Sequence, residues 1–318
     1  THLFMDLTPW IAIVNPSAAS GRIAKQWSDI FSHLQEMMVF SEYVFSEYPG
    51  HCTKLVQDLL KDGWRKFIIV GGDGTLSEVA NGIMSQQAVP YKDITISLIP
   101  CGTGNDWSKA ANIPTDIREA VKCISRGHVA SQDVGKVTYT DDKGQTQTRY
   151  MVNTAGVGYD AEVCMTSNSL KAQGLEDHKT YLKSTAANLF KRVKKDTTVI
   201  VDGTEISHCP TLSIAIGNGR FSGGGMTMVP DAVPNDGLIN VTVIGNLTKM
   251  KAVLNLRALY NGSIYEVRGV RHAKGKVINI SSTKPDYVEI DGEVVGFSPC
   301  RIEVVPNALN VVVGAPKS

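Results

Sequence analysis

The first 128 residues of the chain alternate short apolar runs with longer segments in which apolar residues recur every three or four positions. The short runs predict buried strands at residues 10–14, 43–45, 67–70 and 94–99. The longer segments predict amphipathic helices between the strands, and the last of these helices ends at Gly127. Repeated strand–helix units form a parallel sheet covered by helices, and such sheets bind ligands at the carboxyl ends of their strands. The pattern therefore predicts an α/β domain.

Beyond about residue 130 the pattern changes to short strands separated by turn residues. Turn sequences at 141–144 and 202–203 each lie between two strand candidates and indicate hairpins. Helical periodicity returns only at 180–195 and 250–260. We therefore expect the second half of the chain to be an antiparallel β domain with two helical inserts.

Composition and charge exclude several classes of protein. The chain is 42% hydrophobic and 20% charged, which excludes wholesale disorder. Its 32 Lys and Arg residues nearly balance 31 Asp and Glu residues, whereas nucleic-acid binders carry a basic excess, so we expect no nucleic-acid partner. The longest apolar run, 10–14, is far shorter than the roughly 20 residues that span a bilayer. No export signal opens the sequence and no two cysteines form a CxxC pair, so we expect a soluble, cytoplasmic protein with reduced thiols.

The sequence Gly-Gly-Asp-Gly-Thr at 71–75 joins a predicted strand to a predicted helix. Glycines allow the backbone to approach a phosphate closely, and the N-terminus of the following helix offers N–H donors and a positive dipole end. The loop lacks the Lys of a Walker A motif, and a dinucleotide fingerprint would need glycine where Ser77 stands. A glycine pair alone favours a plain strand-to-helix turn. Asp73 weakens that alternative, because sites for Mg²⁺ and phosphate need such a carboxylate.

Two further polar loops follow strands of the same predicted sheet. Residues 15–21 follow the first strand, and residues 102–106 follow the fourth. Because the carboxyl ends of parallel strands share one edge of a sheet, we expect the three loops to converge on one anion.

The three loops resemble those of the diacylglycerol kinase and sphingosine kinase catalytic family, in the compact form of the soluble bacterial lipid kinases. The resemblance continues in order through 133–135, 217–225, 235–238 and 291–293, and so covers nearly the whole chain. The string at 71–75 alone is also similar to NAD kinases and phosphofructokinases. The loop at 102–106 and the final Asp-Gly-Glu at 291–293 make the resemblance specific for lipid kinases.

This resemblance implies two domains with ATP and Mg²⁺ bound in the cleft between them. The first is an α/β nucleotide-binding domain with a parallel sheet like that of phosphofructokinase and NAD kinase, formed by residues 1–131 and a returning tail at about 307–318. The second, residues 132–306, is an antiparallel β-sandwich that binds the lipid. The resemblance implies ATP contacts from Asn15, Ser46, Gly72, Asp73, Gly74, Thr75, Leu76, Ser77, Glu78 and Thr103.

The resemblance also assigns acidic residues. Asp73, Asp106 and Asp133 match an acidic network around the Mg-nucleotide. Glu293 matches the general base, which takes a proton from the lipid hydroxyl. A second, structural Mg²⁺ would bind the Asp236 side chain and the carbonyls of Val233 and Leu238. From the residues alone, 291–292 is a hairpin turn and 233–238 is a turn into a strand. The turn at 291–292 is compatible with a base at Glu293.

Basic residues are concentrated at 171–195, where seven basic and two acidic residues give a net charge of +5. A solvated helix face is the usual explanation for such a run. The alternative is contact with an anionic membrane surface, with Leu189 and Phe190 adding an apolar contact. The basic residues are Lys171, Lys179, Lys183, Lys191, Arg192, Lys194 and Lys195, opposed by Glu176 and Asp177.

Together these features predict an ATP- and Mg²⁺-dependent lipid kinase that phosphorylates diacylglycerol or a related lipid alcohol in phospholipid metabolism. We expect it to work peripherally at the inner membrane surface, and the resemblance makes a homodimer plausible. Sphingoid bases and ceramide remain open as substrates, because they too present a hydroxyl beside long chains. Two other classes also remain open: an NAD kinase-like enzyme with a soluble substrate, and a non-catalytic nucleotide-binding module.

Overall fold

A computed structural model describes residues 9–39, 41–174 and 178–315 of the chain. The described chain divides into two compact units, with boundaries after Gln132 and after Pro306. The first unit therefore combines the N-terminal part of the chain with its C-terminal end, and the second unit is the continuous segment between them.

The first unit is a parallel α/β fold. Its strands pair in the order β2-β1-β3-β4, all parallel, and Asn310 and Val311 add a further parallel pairing beside β4. This confirms the predicted fold class of the N-terminal half. The elements are β1 (Trp10–Val14), α1 (Ala18–Glu36), β2 (Ser41–Phe45), α2 (His51–Lys61), β3 (Lys66–Gly71), α3 (Asp73–Ser85), β4 (Thr95–Pro100), α4 (Asp106–Ala110) and α5 (Ile117–Arg126).

Apolar burial explains why these elements form. β3 and β4 are buried at every position after their first residue, as strands with both faces covered must be. Ile23, Ile30 and Leu34 lie on one face of α1, and they pack with Val121 and Ile124 of α5 in one core cluster. The same cluster contains Ala12 of β1 and Ile68 of β3, so the apolar residues that recur every three or four positions are those that pack against the sheet.

The two loops compare differently with their predictions. Ala19, Ser20 and Gly21 have positive φ, so the regular part of α1 begins only at Arg22, in agreement with the predicted loop at 15–21. The glycine loop is shorter than predicted, because Asp73 already begins α3. Asp73, Gly74 and Thr75 thus belong to the first helical turn, where backbone N–H groups have no partner within the helix.

The second unit is an antiparallel β-sandwich with helical inserts, as predicted. One run of strands has the order β12-β11-β10-β7-β14-β15, and β13, β8 and β9 continue from β15. β5 and β15 extend across the boundaries into the first unit. The elements are β5 (Val129–Thr140), β6 (Thr146–Met151), β7 (Thr154–Gly158), α6 (Tyr159–Ala172), α7 (His178–Lys191), β8 (Lys195–Val201), β9 (Thr204–Thr211), β10 (Ser213–Gly217), β11 (Ile239–Ile244), α8 (Lys249–Leu254), α9 (Leu256–Asn261), β12 (Val270–Gly275), β13 (Val277–Ser282), β14 (Tyr287–Ile290) and β15 (Glu293–Val312).

A shared core joins the two runs of strands. Val157 of β7 and Ile214 of β10 pack in the same cluster as Val199 of β8, Ile278 of β13 and Ile302 of β15. Each of these side chains is almost fully buried. Alternation of inward apolar residues along both runs therefore forms the sandwich interior.

Several predicted elements in this unit were wrong in extent, and others were missed. The helix predicted at 180–195 ends at Lys191, and Lys195 already begins β8. The helix predicted at 250–260 is two short helices, α8 and α9. β7, α6 and β12 were not predicted. Among the described helices, none is long and apolar enough to cross a membrane.

Candidate active site

The loops after β3 and β4 lie against each other in the first unit. A Cβ built on Gly72 would lie 3.0 Å from the Cα of Gly102, and one built on Gly102 would lie 2.8 Å from the Cα of Gly72. The backbone N–H of Cys101 donates to the carbonyl of Gly71 at 2.8 Å. Glycine is therefore required at 72 and 102 because two backbones approach closely, and this contact brings the two predicted loops together.

The N-terminus of α3 is open where a phosphate would approach. Gly72 precedes the helix and has no side chain to cap it. Gly74 is exposed, and a Cβ built on it would meet nothing within 4 Å. The loop after β1 reaches the same helix, since Asn15 Nδ2 donates to Thr75 Oγ1 at 3.0 Å. Three predicted site residues, Asn15, Gly72 and Thr75, therefore lie at one helix N-terminus.

Asp73 holds the start of the next helix. Its two carboxylate oxygens accept the N–H groups of Asp106 at 3.0 Å and Trp107 at 3.1 Å, in the first turn of α4. Burial raises the pKa of Asp73, while these two hydrogen bonds act in the opposite direction. Such bonds stabilise the ionised carboxylate and the helix end together.

Asp73 and Asp106 also form an oxygen-lined position above Gly104. A Cβ built on Gly104 would lie 3.4 Å from Oδ2 of Asp73 and 3.4 Å from Oδ2 of Asp106. Lys109 donates to the other oxygen of Asp106 at 3.0 Å. Two carboxylate oxygens that converge on one point are the donor type that Mg²⁺ prefers. These residues therefore fit the cation that the sequence predicted.

The other predicted ATP contacts differ in accessibility. Glu78 accepts the N–H groups of Gly50 and Cys52 and so caps α2. Ser46, at the end of β2, is buried. The side chains of Leu76 and Ser77 are buried, so only their backbone atoms could contact ATP. Thr103 is exposed. The ATP contacts of these five residues stay predictions.

In the second unit, Asp291 and Gly292 form the tight turn between β14 and β15. Both have positive φ, and Ile290 pairs with Glu293 across the turn. This is the two-residue hairpin that Asp-Gly indicates. The Asp291 carboxylate accepts N–H groups from the start of β7 and the residues before it: Val152, Asn153 and Thr154. These three hydrogen bonds hold the turn against the start of β7.

Glu293, the predicted base, lies directly after this turn with its side chain 63% exposed. Its Oε2 lies 2.5 Å from Nη2 of Arg149, a residue of β6. The ion pair holds the carboxylate at the surface of the unit. Arg149 was missed, because nothing in an alternating strand indicates which distant side chain it will contact.

Two further carboxyl groups lie beneath the turn and were also missed. Glu289 of β14 is buried, and its Oε2 accepts the N–H of Gly292 at 2.9 Å. Burial and the neighbouring charge of Asp160 raise the pKa of Glu289 well above its usual value. Burial likewise raises the pKa of Asp160, at the start of α6. Nothing in the sequence signals a buried Glu289, because an acidic residue between Val288 and Ile290 fits the polar position of an alternating strand.

The predicted structural metal site is a loop held by Asp133. The Asp133 carboxylate accepts the N–H of Gly237 at 2.7 Å, and its own N–H donates to the carbonyl of Pro234 at 2.7 Å. Asp236 Oδ1 accepts the N–H of Leu238 at 3.1 Å. Its Oδ2 lies 3.7 Å from Nζ of Lys274, which would compete with a cation. Within residues 9–39, 41–174 and 178–315, no three His, Cys, Asp or Glu side chains form a metal-binding group. The Asp236 site with Val233 and Leu238 stays a prediction.

The predicted basic membrane helix needs correction. Arg192 is almost fully buried and pairs with Asp286 and Glu162. Lys195 also pairs with Asp286, at 3.0 Å. Leu189 is buried too, so these side chains are not available to a membrane. Glu176 and Asp177 lie outside the described residues, as does the side chain of Lys179.

Comparison with known proteins gives the family. Residues 9–137 match the family described as diacylglycerol kinase catalytic domain, and residues 153–313 match the YegS C-terminal NAD kinase beta sandwich-like domain. A diacylglycerol kinase of Staphylococcus carnosus is 27% identical over 291 residues, which cover 91% of this chain and 90% of that protein.

Solved structures share the fold. A diacylglycerol kinase from Bacillus anthracis str. Sterne matches with a TM-score of 0.71 and 22% identity, over 96% of this chain and 97% of that one. Yeast NADH kinase complexed with NADH matches with a TM-score of 0.54 and 12% identity, over 96% and 84% of the two chains. The family matches extend over both units, and the chain belongs to the diacylglycerol kinase family, with the catalytic domain followed by the YegS-type β-sandwich domain.

Proposed function

We propose that the protein is an ATP- and Mg²⁺-dependent kinase that transfers the γ-phosphate of ATP to the hydroxyl of diacylglycerol or a related lipid alcohol. The observation that carries the proposal is the N-terminus of α3, which is open at Gly74 and lies beside the carboxylates of Asp73 and Asp106. Family membership supports a kinase, and the name of the Staphylococcus carnosus relative supports a glycerolipid acceptor.

Phosphoryl transfer requires neutralised phosphate oxygens and a positioned nucleophile more than covalent chemistry by the protein. In this proposal the first-turn N–H groups of α3 bind phosphate oxygens, and Asn15 holds Thr75 in place. Mg²⁺ bound by Asp73 and Asp106 would neutralise phosphate charge. The first unit thus binds ATP, as the family's nucleotide domain does.

Glu293 is the proposed general base. Its exposed carboxylate accepts the proton of the lipid hydroxyl as the oxygen attacks phosphorus, a role that typically contributes about 10²–10⁴ in rate. Arg149 orients that carboxylate through the ion pair at 2.5 Å. The Asp291 carboxylate accepts three backbone N–H hydrogen bonds. Because these bonds hold the hairpin turn, they also fix the backbone of Glu293, which follows it. The second unit is accordingly the proposed lipid domain.

The two proposed substrates indicate the location of the enzyme. ATP is a cytoplasmic metabolite and long-chain lipid alcohols reside in the bilayer, so we place the enzyme peripherally on the inner surface of an anionic membrane. Sphingoid bases and ceramide remain alternative acceptors of the same chemical class.

An NAD kinase-like activity on a soluble substrate is the second candidate, which the fold similarity to yeast NADH kinase favours. Labelled ATP supplied with a panel of lipid vesicles and, separately, with NAD distinguishes the two. We expect label to partition into organic solvent with a glycerolipid as acceptor. Label recovered on NAD, resolved from ATP and phosphate by chromatography, would establish the alternative, and no transfer to any acceptor would leave a nucleotide-binding module. Omitting Mg²⁺ in the same assay tests the metal requirement.

A further inference from the structure

One surface of the second unit exposes large apolar side chains in a group. They lie at the C-terminal end of α7 and on the short helices α8 and α9, and each is between 47% and 74% exposed. We call this group, together with the basic side chains among it, the α7–α9 surface. Its apolar members are Phe190, Val193, Met250, Leu254, Leu256 and Tyr260, and its basic members are Lys191, Lys249, Lys251 and Arg257.

Contacts within the unit join α7 to α8. Lys249 Nζ donates to the carbonyl of Phe190, at the negative C-terminal end of α7. Lys194 Nζ donates to Asn246 Oδ1 at 2.8 Å, just before α8. Beneath them Leu189 packs in one cluster with Leu247. The C-terminal end of α7 and the N-terminal end of α8 are therefore neighbours on the surface of the unit.

The two short helices are apolar on both sides. Ala252, Val253 and Leu259 pack inward against the cluster that contains Leu189, while Met250 and Leu254 are exposed. A helix on the surface of a water-soluble domain normally shows polar residues on its outer face. A group of exposed apolar side chains marks an interaction surface.

Charge identifies the partner. No Asp or Glu occurs between Asp236 and Glu266, a segment that contains Lys249, Lys251 and Arg257. Among the described residues, no acidic side chain forms an ion pair with Lys251 or Arg257. Cationic and apolar side chains without acids complement an anionic bilayer, which presents negative headgroups above hydrocarbon. A second copy of the same surface would instead bring like charges together.

We propose that the α7–α9 surface docks the protein on an anionic bilayer, with Phe190, Met250 and Leu254 inserted among the headgroups and Lys251 and Arg257 on anionic lipids. This replaces the predicted basic helix, whose Arg192 instead anchors α7 through its buried ion pair with Asp286. The buried pair fixes the end of α7, so the surface is already formed before the membrane is met. The proposal rests on the proposed function only in that its substrate lies in the bilayer.

Binding of the full chain to vesicles tests the surface without catalysis. The probe is flotation with vesicles of phosphatidylcholine and phosphatidylglycerol, without ATP, and with phosphatidylcholine alone for comparison. Met250→Ser/Leu254→Ser should weaken binding by about tenfold, because two apolar side chains no longer insert. Lys251→Glu/Arg257→Glu should weaken it by at least about tenfold at low salt, and the difference should shrink as salt is raised.

The control variants make the same kinds of substitution at exposed positions elsewhere in the unit. Met165→Ser and Lys276→Glu change exposed residues outside the surface and should bind as the wild type does. Glu293→Gln should also bind normally, so a failure of the proposed catalysis leaves this test intact. All the altered side chains are exposed, and unchanged melting temperatures would show that the variants fold.

Three outcomes would overturn the proposal. The first is a wild type that does not bind anionic vesicles, and the second is equal binding by the surface variants and their controls. The third is a change of oligomeric state in the Met250→Ser/Leu254→Ser variant with vesicle binding intact, which would assign the surface to self-association.

Discussion

The carboxylate of Glu293 is the side chain on which the proposed chemistry depends. Glu293→Gln keeps the shape of the side chain and removes its ability to accept a proton. We expect kcat to fall by about 10²–10⁴ while the affinity for ATP changes little. Glu303→Gln is the matched control, because Glu303 lies on the same strand and also pairs with an arginine, Arg301. Near-native turnover of Glu293→Gln would remove this residue from the mechanism.

Glu289 predicts a dependence of stability on pH. Its pKa is raised by burial and by Asp160, so the folded state keeps a proton over a pH range in which the unfolded chain has lost it. Stability therefore falls as pH rises from the ordinary carboxyl pKa to the raised one, by about 1.4 kcal/mol for each unit of separation. Above the raised pKa the loss is constant.

Glu289→Gln tests this dependence. Glutamine is neutral at every pH and can still accept the N–H of Gly292, so the variant should lose less stability than the wild type as pH rises above the ordinary carboxyl pKa. Thermal unfolding across this pH range is the measurement, with the exposed Glu303→Gln as control. Parallel curves for wild type and Glu289→Gln would contradict the prediction.

Sequence could identify single residues at the site but not their partners. Glu293 and Asp291 stand in a short string whose order is informative by itself. Arg149 and Glu293 are 144 residues apart, and Asp160 and Glu289 are brought together by β7, α6 and β14, two of which were not predicted. Contacts of this kind depend on how distant elements pack in the fold, which no local pattern encodes.

The connection between β3 and α3 allows stability and ATP affinity to be tested separately with one substitution. Gly74 has ordinary φ, and a Cβ built there meets nothing within 4 Å, so Gly74→Ala should fold at least as well as the wild type. Alanine in a helix is worth up to about 1 kcal/mol more than glycine. A methyl group at this position would nevertheless block the approach of a phosphate to the first turn.

We therefore expect Gly74→Ala to keep or raise the melting temperature while ATP affinity falls by at least about tenfold. Calorimetric titration with Mg-ATP measures the affinity, and thermal unfolding without nucleotide measures the stability. Gly102→Ala is the contrasting variant, because its methyl group would meet Gly72 at 2.8 Å and should lower the stability as well. Unchanged ATP affinity in Gly74→Ala would make the loop a plain turn.

The sequence predicted best the elements in which all apolar positions are buried in one regular pattern. β1 has the predicted bounds, Trp10–Val14, because a buried parallel strand is a continuous apolar run. β7, with the sequence TAGVG, is fully buried but contains small residues, so it gave no such run. Within the basic segment at the end of α7, Arg192 was wrong as a membrane contact, because it is paired inside the unit. Charge in a sequence does not reveal whether its partner is solvent or a buried carboxylate.

For the whole molecule, the fold class was predictable because the two halves differ in period. Strand–helix alternation stops near residue 130 and hairpin signals begin, so an α/β fold and an antiparallel sandwich could be told apart. The site was predictable only in part, since a resemblance supplies roles for residues while the contacts that hold them come from the three-dimensional structure.

The structural Mg²⁺ proposed at Asp236 makes the stability of the second unit depend on divalent cations. A cation that binds only the folded state stabilises it by about 2.7 kcal/mol when its concentration is 100 times its Kd. For a unit of this size that corresponds to about 5–10 °C in melting temperature. Chelation should therefore lower the melting temperature of the wild type but not that of Asp236→Ala. Lys274→Gln removes the ammonium group 3.7 Å from Asp236 Oδ2 and should make the response to chelation larger. An equal response in the wild type and Asp236→Ala would show that no stabilising cation binds at Asp236.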